Sequence, residues 1–471
     1  MKKVFVYIAF MLSSYASNSQ TKLTLREAIE TGLKNNLQVN QSDLLAQKAD
    51  IGYRQSRATM LPDLNAIANH GTNQGRSIDP FTNGFIDQNV NYASYSASSS
   101  ILLFNGSSLQ NRIKTNKLDF EASKMELQQA KDNITINIIL AYLGVLSAQD
   151  ILEQSRSLVL VTEKQVERLG ILNDAGAITP SDYYDLKGQL ANDQIAIVDN
   201  AAALETAKLD LLQLLNLPYD KSLQVERLPT ESFNVNSTED PAAIYQAALD
   251  QFAQIKAVNL RTQSAEKNIR SIKGELFPRL FFGANVNTNY SSAATQAFFV
   301  NSVDVTSNDY VDFNGSQVSV IRKQDNYDNR KINFGNQLKN NKFTTFNFGL
   351  NVPLFNASQV RSRVKIAKID FKNSELVELN TKTQLQQSIE RAYVNMSSTA
   401  EKYNILTEQV KAFDTSFRGA EIRFNAGATT SVDYLIAKNN LDRTTINLII
   451  SKYDFILRSK VLDYYKGVPL W

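Results

Sequence analysis

Two aspartates carry whatever chemistry this chain has. Asp182 and Asp433 each follow a glycine by six residues, in the turns Ala175-Gly176-Ala177 and Ala426-Gly427-Ala428, and each precedes a tyrosine, Tyr183 or Tyr434. A carboxylate so placed falls in the first turn of a returning helix, where the helix dipole favours negative charge. Other candidates are few. The 471 residues contain no cysteine and one histidine, His70, which stands at the end of a predicted strand without clustered partners. No glycine-rich loop leads from a strand into a helix to cradle phosphate. These features imply a chain that is not an enzyme, with no catalytic residues, no cofactor and no metal site.

The aspartates lie in a stretch that is written twice. Leu103-Phe104-Asn105 recurs as Leu354-Phe355-Asn356, and 354 less 103 and 427 less 176 both give 251. Earlier in each copy, Leu61-Pro62-Asp63-Leu64 corresponds to Phe277-Pro278-Arg279-Leu280 at an offset of 216. A repeat of this size overrides the prior of about three domains for such a length. The reading is two copies of one unit, residues 20–217 and 241–471, joined by a polar linker at 218–240 that contains Pro229.

Each unit needs helices to position its turn. Long helices are expected over about 107–173 and 358–425, unbroken by proline and each roughly 100 Å long at 1.5 Å per residue. Returning helices are expected over 179–215 and 430–465. A heptad seam runs through Ile138, Val145, Leu152, Val159 and Val166 and again through Ile389, Met396, Tyr403, Val410 and Phe417, which demands coiled-coil packing. Gly176 and Gly427 would close the long helices, and Thr179 and Ser431 would cap the returning ones. Leu25 to Met60 reads as one further helix, and such short helices should stack end to end beside the long one.

Strands are expected at about 63–73, 93–104, 280–290 and 343–355, in two hairpins. Phe346, Phe348, Leu350, Val352 and Leu354 alternate with Asn347, Gly349, Asn351 and Pro353, which gives one apolar and one polar face. Residues 291–341 read as a long, polar, exposed loop.

Met1 to Ser19 has the anatomy of an export signal: Lys2 and Lys3, an apolar run from Val4 to Leu12, then small residues. That run is too short to span a bilayer, and no later run of about twenty residues is free of polar side chains. With 43% hydrophobic and 21% charged residues and a net charge of +3, nothing points to nucleic acid. Four strands of bilayer length with one apolar face cannot close a membrane barrel, because lipid forbids an open sheet edge and barrels need about eight strands or more. Several chains must share one barrel.

The order of export signal, helix, Leu-Pro, strand pair, Leu-Phe-Asn, long helix, Ala-Gly turn and returning helix, all repeated, resembles the TolC-like outer-membrane efflux and secretion channels. Gly75-Arg76-Ser77-Ile78-Asp79-Pro80 resembles versions of the first loop in the Bacteroidetes branch of that family. The resemblance implies a mainly helical chain whose long hairpins build a helical barrel across the periplasm, and whose four strands enter a twelve-stranded outer-membrane barrel shared by a homotrimer. It also implies outer-membrane lipid, a periplasmic adaptor and an inner-membrane pump of the RND or ABC kind as partners. The tips Ala175, Gly176, Ala177, Ala426, Gly427 and Ala428 would meet the adaptor and form the entrance. In the family an aspartate on the first tip bonds a tyrosine and an arginine on the second, and two aspartates form rings at the constriction. Matched residue by residue, Asp182 and Asp433 are kept. Phe424 replaces the tyrosine, Thr429 the arginine and Ile436 the second ring aspartate. Three Asp433 carboxylates would then make the constriction favour cations. The competing reading is an exported coiled-coil protein with a structural or adhesive role.

Overall fold

The computed structural model describes residues 22–79, 83–228 and 240–468. The export segment, Pro80 and residues 229–239 of the linker lie outside the described residues. In chain order the elements are α1 (Leu25–Asn35), α2 (Leu37–Ala58), β1 (Asn65–Asn73), β2 (Arg76–Ile78), β3 (Phe85–Asp87), β4 (Val90–Phe104), α3 (Ser108–Asp174) and α4 (Pro180–Leu214). The second half runs α5 (Pro241–Gln251), α6 (Ala253–Gly274), β5 (Arg279–Ser291), β6 (Thr295–Phe313), β7 (Ser316–Lys331), α7 (Phe334–Asn340), β8 (Phe343–Asn351), α8 (Gln359–Asn425) and α9 (Ser431–Tyr465).

The chain divides into a helical unit, drawn from Met1–Gly52, Asn116–Ala265 and Ile369–Trp471, and a second unit drawn from Tyr53–Thr115 and Glu266–Lys368. The helical unit is built on the heptad seam. Ile138 and Ile389, equivalent positions of the two copies, are both fully buried, as are Leu211 and Leu462 on the returning helices. One core gathers Ile29, Ile138, Tyr142, Val145, Leu146 and Leu211; the other gathers Ile244, Phe252, Ile389, Met396, Phe455 and Leu462. Part of α3 is long and apolar enough by composition to cross a bilayer. Its Ile134, Ile138, Tyr142 and Leu146 are spent on this protein core instead.

The expected helix from Leu25 to Met60 is two helices. Asn36 breaks it: its backbone leaves the helical region, with φ −65° and ψ 125°, and its side-chain oxygen accepts from Gln38 N at 2.9 Å and Val39 N at 3.2 Å. One residue thus ends α1 and satisfies donors that open α2. Phe252 breaks the second copy at the equivalent position with φ −70° and ψ 123°. The break is also where short helices meet end to end, since Asn36 donates to Leu214 O at 3.5 Å and Asn216 to Asn35 O at 3.4 Å.

In the second unit the four long strands form one antiparallel sheet, ordered β1-β4-β5-β8. The two expected hairpins are β1 with β4 and β5 with β8, and they are joined because β4 and β5 pair along most of their length, from Tyr92 opposite Ser291 to Phe104 opposite Leu280, with a bulge between Leu102 and Phe104. Opposite residues share a face. Leu280, Phe282 and Ala284 lie with Leu350, Phe348 and Phe346 on one side. Ser96, Ser98 and Ser100 lie with Asn287, Asn285 and Gly283 on the other. Phe346 and Phe348 are 68% and 73% exposed. A mid-sheet pair on the polar face explains Gly349, because the Phe281 ring fills the space its side chain would need.

Residues 291–341 are not a loop. β6 and β7 pair over their full length as a second, two-stranded ribbon turning at Asn314-Gly315, and α7 returns the chain to β8. The sequence hides it because nearly every ribbon side chain is exposed on both faces, so no apolar periodicity develops.

Two glycines hold the strand–helix junctions of the two copies together. A Cβ on Gly106 would stand 2.4 Å from the Gly274 carbonyl oxygen, and one on Gly274 would stand 2.7 Å from that of Gly106. Backbone cannot step aside as a side-chain tip can, so Gly274→Ala should destabilise by about 1–3 kcal/mol. Gly144→Ala, where a Cβ meets nothing within the chain, should stabilise α3 by about 0.5–1 kcal/mol. Thermal unfolding followed by helical circular dichroism reads both, and equal midpoints would refute the steric account.

Candidate functional site

Both tips close by the same backbone device. α3 ends at Gly176 with φ +68°, and Ala177 N reaches back to Leu172 O at 2.8 Å; α8 ends at Gly427 with φ +70°, and Ala428 N reaches Arg423 O at 2.8 Å. Glycine is needed for the left-handed backbone alone, since an added Cβ would meet nothing at either position.

The caps differ from expectation. Thr179 precedes α4 but makes no side-chain cap to the backbone; its hydroxyl donates to the Asp182 carboxylate. On the second tip the cap is Thr430, not Ser431, and its hydroxyl accepts from Asp433 N at 3.4 Å. That frees Ser431, which is buried, to bind across to the first hairpin. Its backbone N donates to Asp182 Oδ1 at 3.1 Å and its hydroxyl to Asp185 Oδ2 at 3.0 Å. The Thr179 hydroxyl, followed by Ser431, holds the Asp182 carboxyl below its usual range.

Asp433 stays on its own tip. Its Oδ2 accepts from Thr429 Oγ1 at 2.8 Å and from Thr430 Oγ1 at 3.2 Å, and these hydroxyls, Thr429 first, pull its pKa down. It stands exposed beside Val432, with Ile436 a turn further along the same outward face of α9. Phe424 turns the other way and stacks on Tyr434 at 4.8 Å, in a cluster with Leu169 and Leu186. Tyr434 is fully buried and its hydroxyl has no partner among the described residues; burial pushes its pKa up. Thus the structure brings Asp182 to Ser431, Thr429 to Asp433 and Phe424 to Tyr434. It does not bring Asp182 to Phe424 or Thr429.

Sequence reasoning missed further ties between the hairpins. Arg168 on α3 donates to the Asn425 carbonyl at 2.6 Å and to its side-chain oxygen, which bridges the two tips. Asp185 joins Asp182 on Ser431. Deeper in the bundle, Lys438 of α9 is 1% exposed and lies 2.9 Å from Asp193 Oδ2 on α4 and 2.7 Å from Asp442 Oδ2. Asp193 also accepts from the Thr162 hydroxyl of α3 and the Gln189 amide, both at 2.6 Å, so its lone pairs are well used. Asp442 is the strained member, its pKa raised by burial. A signal existed: Asp-Tyr followed four residues later by Lys occurs in both copies, as Lys187 and Lys438. Only Lys438, on the heptad interior, is buried; Lys187 is exposed near the Tyr183 ring.

His70 lies within β1, and among the described residues no group of three or more His, Cys, Asp or Glu could hold a metal ion.

The chain matches the family model described as "Outer membrane efflux protein" over residues 28–217 and 244–462, one stretch in each copy. The curated relative "Outer membrane efflux protein BepC" of Brucella suis biovar 1 (strain 1330) is 19% identical over 98% of this chain and 89% of its own length. Among solved structures, the fold is similar to that of CusC, with a TM-score of 0.76 and 16% identity over 95% of this chain and 93% of that one. It is also similar to the outer membrane protein VceC of Vibrio cholerae, with a TM-score of 0.74 and 14% identity over 95% and 97%. The open state of the MtrE outer membrane channel of Neisseria gonorrhoeae gives 0.72 and 15% over 95% and 89%. CusC is described as forming a transmembrane channel and MtrE as an outer membrane channel.

Removing the Lys438 charge leaves two buried carboxylates facing each other. Lys438→Met should cost about 3–5 kcal/mol, whereas Lys438→Met combined with Asp193→Asn and Asp442→Asn should recover most of it. Thermal unfolding of the single and triple variants decides; equal losses would show that packing of the lysine stem, not charge, is what matters.

Proposed function

Because the chain belongs to the outer membrane efflux protein family, we propose that three copies close one barrel and serve as the exit duct of a tripartite efflux or type I secretion system. The protein resides in the outer membrane with a periplasmic extension. In this reading an inner-membrane RND or ABC pump selects the cargo, and a periplasmic adaptor couples the pump to the tips around Gly176 and Gly427.

One observation carries the shared barrel, and the number three comes from the family resemblance. Among the described residues the sheet has four strands and two bare edges, β1 and β8, and its exposed apolar side carries Phe346, Phe348 and Leu350. In lipid every backbone donor and acceptor needs a partner, so β8 of one copy must meet β1 of the next. Three sheets of four strands make twelve, within the range of membrane barrels, and the Ser and Asn side then faces the lumen. The two repeats, 20–217 and 241–471, supply two hairpins per copy to the helical part.

The entrance is the set of tips. Asp433 and Ile436 are exposed on α9, where a threefold axis would turn them into rings, while Asp182 and Thr429 are half-buried and Phe424 is buried. Ser431 on Asp182 and Asp185, with Arg168 on Asn425, would hold the two hairpins of one copy together in place of the family's tyrosine and arginine. A ring of three Asp433 carboxylates would favour cations.

A heat-sensitive trimer band that requires detergent for extraction tests the assembly, and a detergent-free soluble monomer would refute it. Single-channel recordings test the ring: Asp433→Asn should abolish cation preference at every pH. Within one copy the folded pKa of Asp433 is lowered, so the tip stability tied to its charge is present above the ordinary aspartate value of about 3.9 and is lost as pH falls through the lower folded one. Thr429→Val removes the largest cause, so cation preference should then fail at a higher pH than in the parent. Unchanged selectivity in Asp433→Asn would sink the ring.

A further inference from the structure

The ribbon of β6 and β7 is an unfinished sheet. Among the described residues neither strand has a neighbour on its outer side, and the pair carries exposed Phe299, Val311, Phe313, Val318, Ile321 and Tyr327. An isolated two-stranded hairpin is marginal in water, and long edges of this kind are normally blunted by proline or covered. No proline occurs between 295 and 331. Register breaks at Phe299/Asn301 and Thr306/Tyr310 are the interruptions in the pairing.

The base of the ribbon is fixed. Ile332 N donates to Ala294 O at 3.1 Å. The buried Gln337 accepts from Ser291 N at 2.9 Å and donates to Ser291 O at 2.9 Å and Ile332 O at 2.8 Å. The ribbon therefore rises from the end of β5, the strand next to the bare edge strand β8. Its two strands also differ in charge. β6 carries Asp304, Asp309 and Asp312 and no basic residue, whereas β7 carries Arg322, Lys323, Arg330 and Lys331 against Asp325 and Asp328. One outer edge is acidic and the other is basic.

We propose that the ribbon is an interface between copies of this chain: β6 of one copy lies along β7 of the next, continuing above the membrane the ring that the barrel closes within it. This rests on the trimeric barrel reading. A head-to-tail contact between unlike edges closes under a rotation axis, and the two edges here are unlike in charge and both present backbone groups for pairing. The partner is thus a second copy, held by backbone pairing, apolar contact and opposite charge.

The absence of cysteine makes the test clean. Val305 and Arg322 are opposite each other in the hairpin, so an in-register neighbour repeats that pair across the interface. Two full-length chains are co-expressed in one membrane, one bearing Val305→Cys and the other Arg322→Cys, and treated with a thiol cross-linker of about 10 Å reach, which tolerates a slip of two residues. The expected result is a covalent dimer from the mixture and none from the Arg322→Cys chain alone. In a second variant residues 295–331 are replaced by Asn-Gly between the already bonded Ala294 and Ile332. It should still form trimers, which dissociate at a lower temperature than the parent. A heat-sensitive trimer that yields no cross-linked dimer overturns the ribbon contact, whatever the deletion does, and leaves the barrel standing. A parent chain that is only monomeric overturns both.

Discussion

The constraint on which the molecule depends is the pairing of backbone groups at the two bare edges of its four-stranded sheet. Water could satisfy those groups, but water is incompatible with the row of exposed phenylalanines on the same sheet. Lipid welcomes the phenylalanines and forbids the edges. Only closure satisfies both, and four strands cannot close on themselves. In the proposed shared barrel each copy is incomplete, and the duplication fits that need: each repeat contributes two strands, and β4 pairing with β5 joins the repeats into one continuous ladder.

Duplication does not mean that the copies do the same work. Tyr434 is fully buried under Phe424 and Phe417, whereas its counterpart Tyr183 is only half-buried. Lys438 is sealed between Asp193 and Asp442, whereas Lys187 meets solvent. The same residue types at the same heptad positions end inside in one hairpin and outside in the other. The buried lysine is costly unless its two carboxylates stay in place, so it fixes the register of α9 against α4 more stringently than apolar packing would. It is the deeper counterpart of the Ser431 contact at the tip.

Much of this was legible because it repeats with a period. The seam through Ile138 and Ile389 and the closing turns at Gly176 and Gly427 follow from spacing and from the backbone that glycine permits. What stayed hidden has no period. The break at Asn36 comes from one side chain competing for two backbone donors. Ser431 was expected to cap its own helix, but the adjacent Thr430 takes that role, and local sequence cannot say which of two neighbouring hydroxyls turns inward. Arg168 and Asn425 lie far apart in sequence, and nothing in either neighbourhood announces the other. The ribbon was missed for a different reason: exposed on both faces, it shows no alternation, and Asn314-Gly315 was its one local signature.

The tip chemistry separates two tasks that one set of residues could have shared. Cross-hairpin contact rests on the backbone amide and hydroxyl of Ser431, and the carboxylates that receive them lie on the first hairpin. Asp433 takes no part in that contact. Its one bonded oxygen is occupied by threonines of its own turn, so its position is set locally and its charge is kept ionised by hydroxyls that do not neutralise it. A charge held this way does not depend on whether the hairpins are joined. The Thr429 and Thr430 bonds that hold Asp433 do not run through Ser431, so opening the joint at Ser431 leaves them in place. In the proposed trimer, repulsion among three such carboxylates would favour a wider ring, and the Ser431, Arg168 and Lys438 contacts would oppose it.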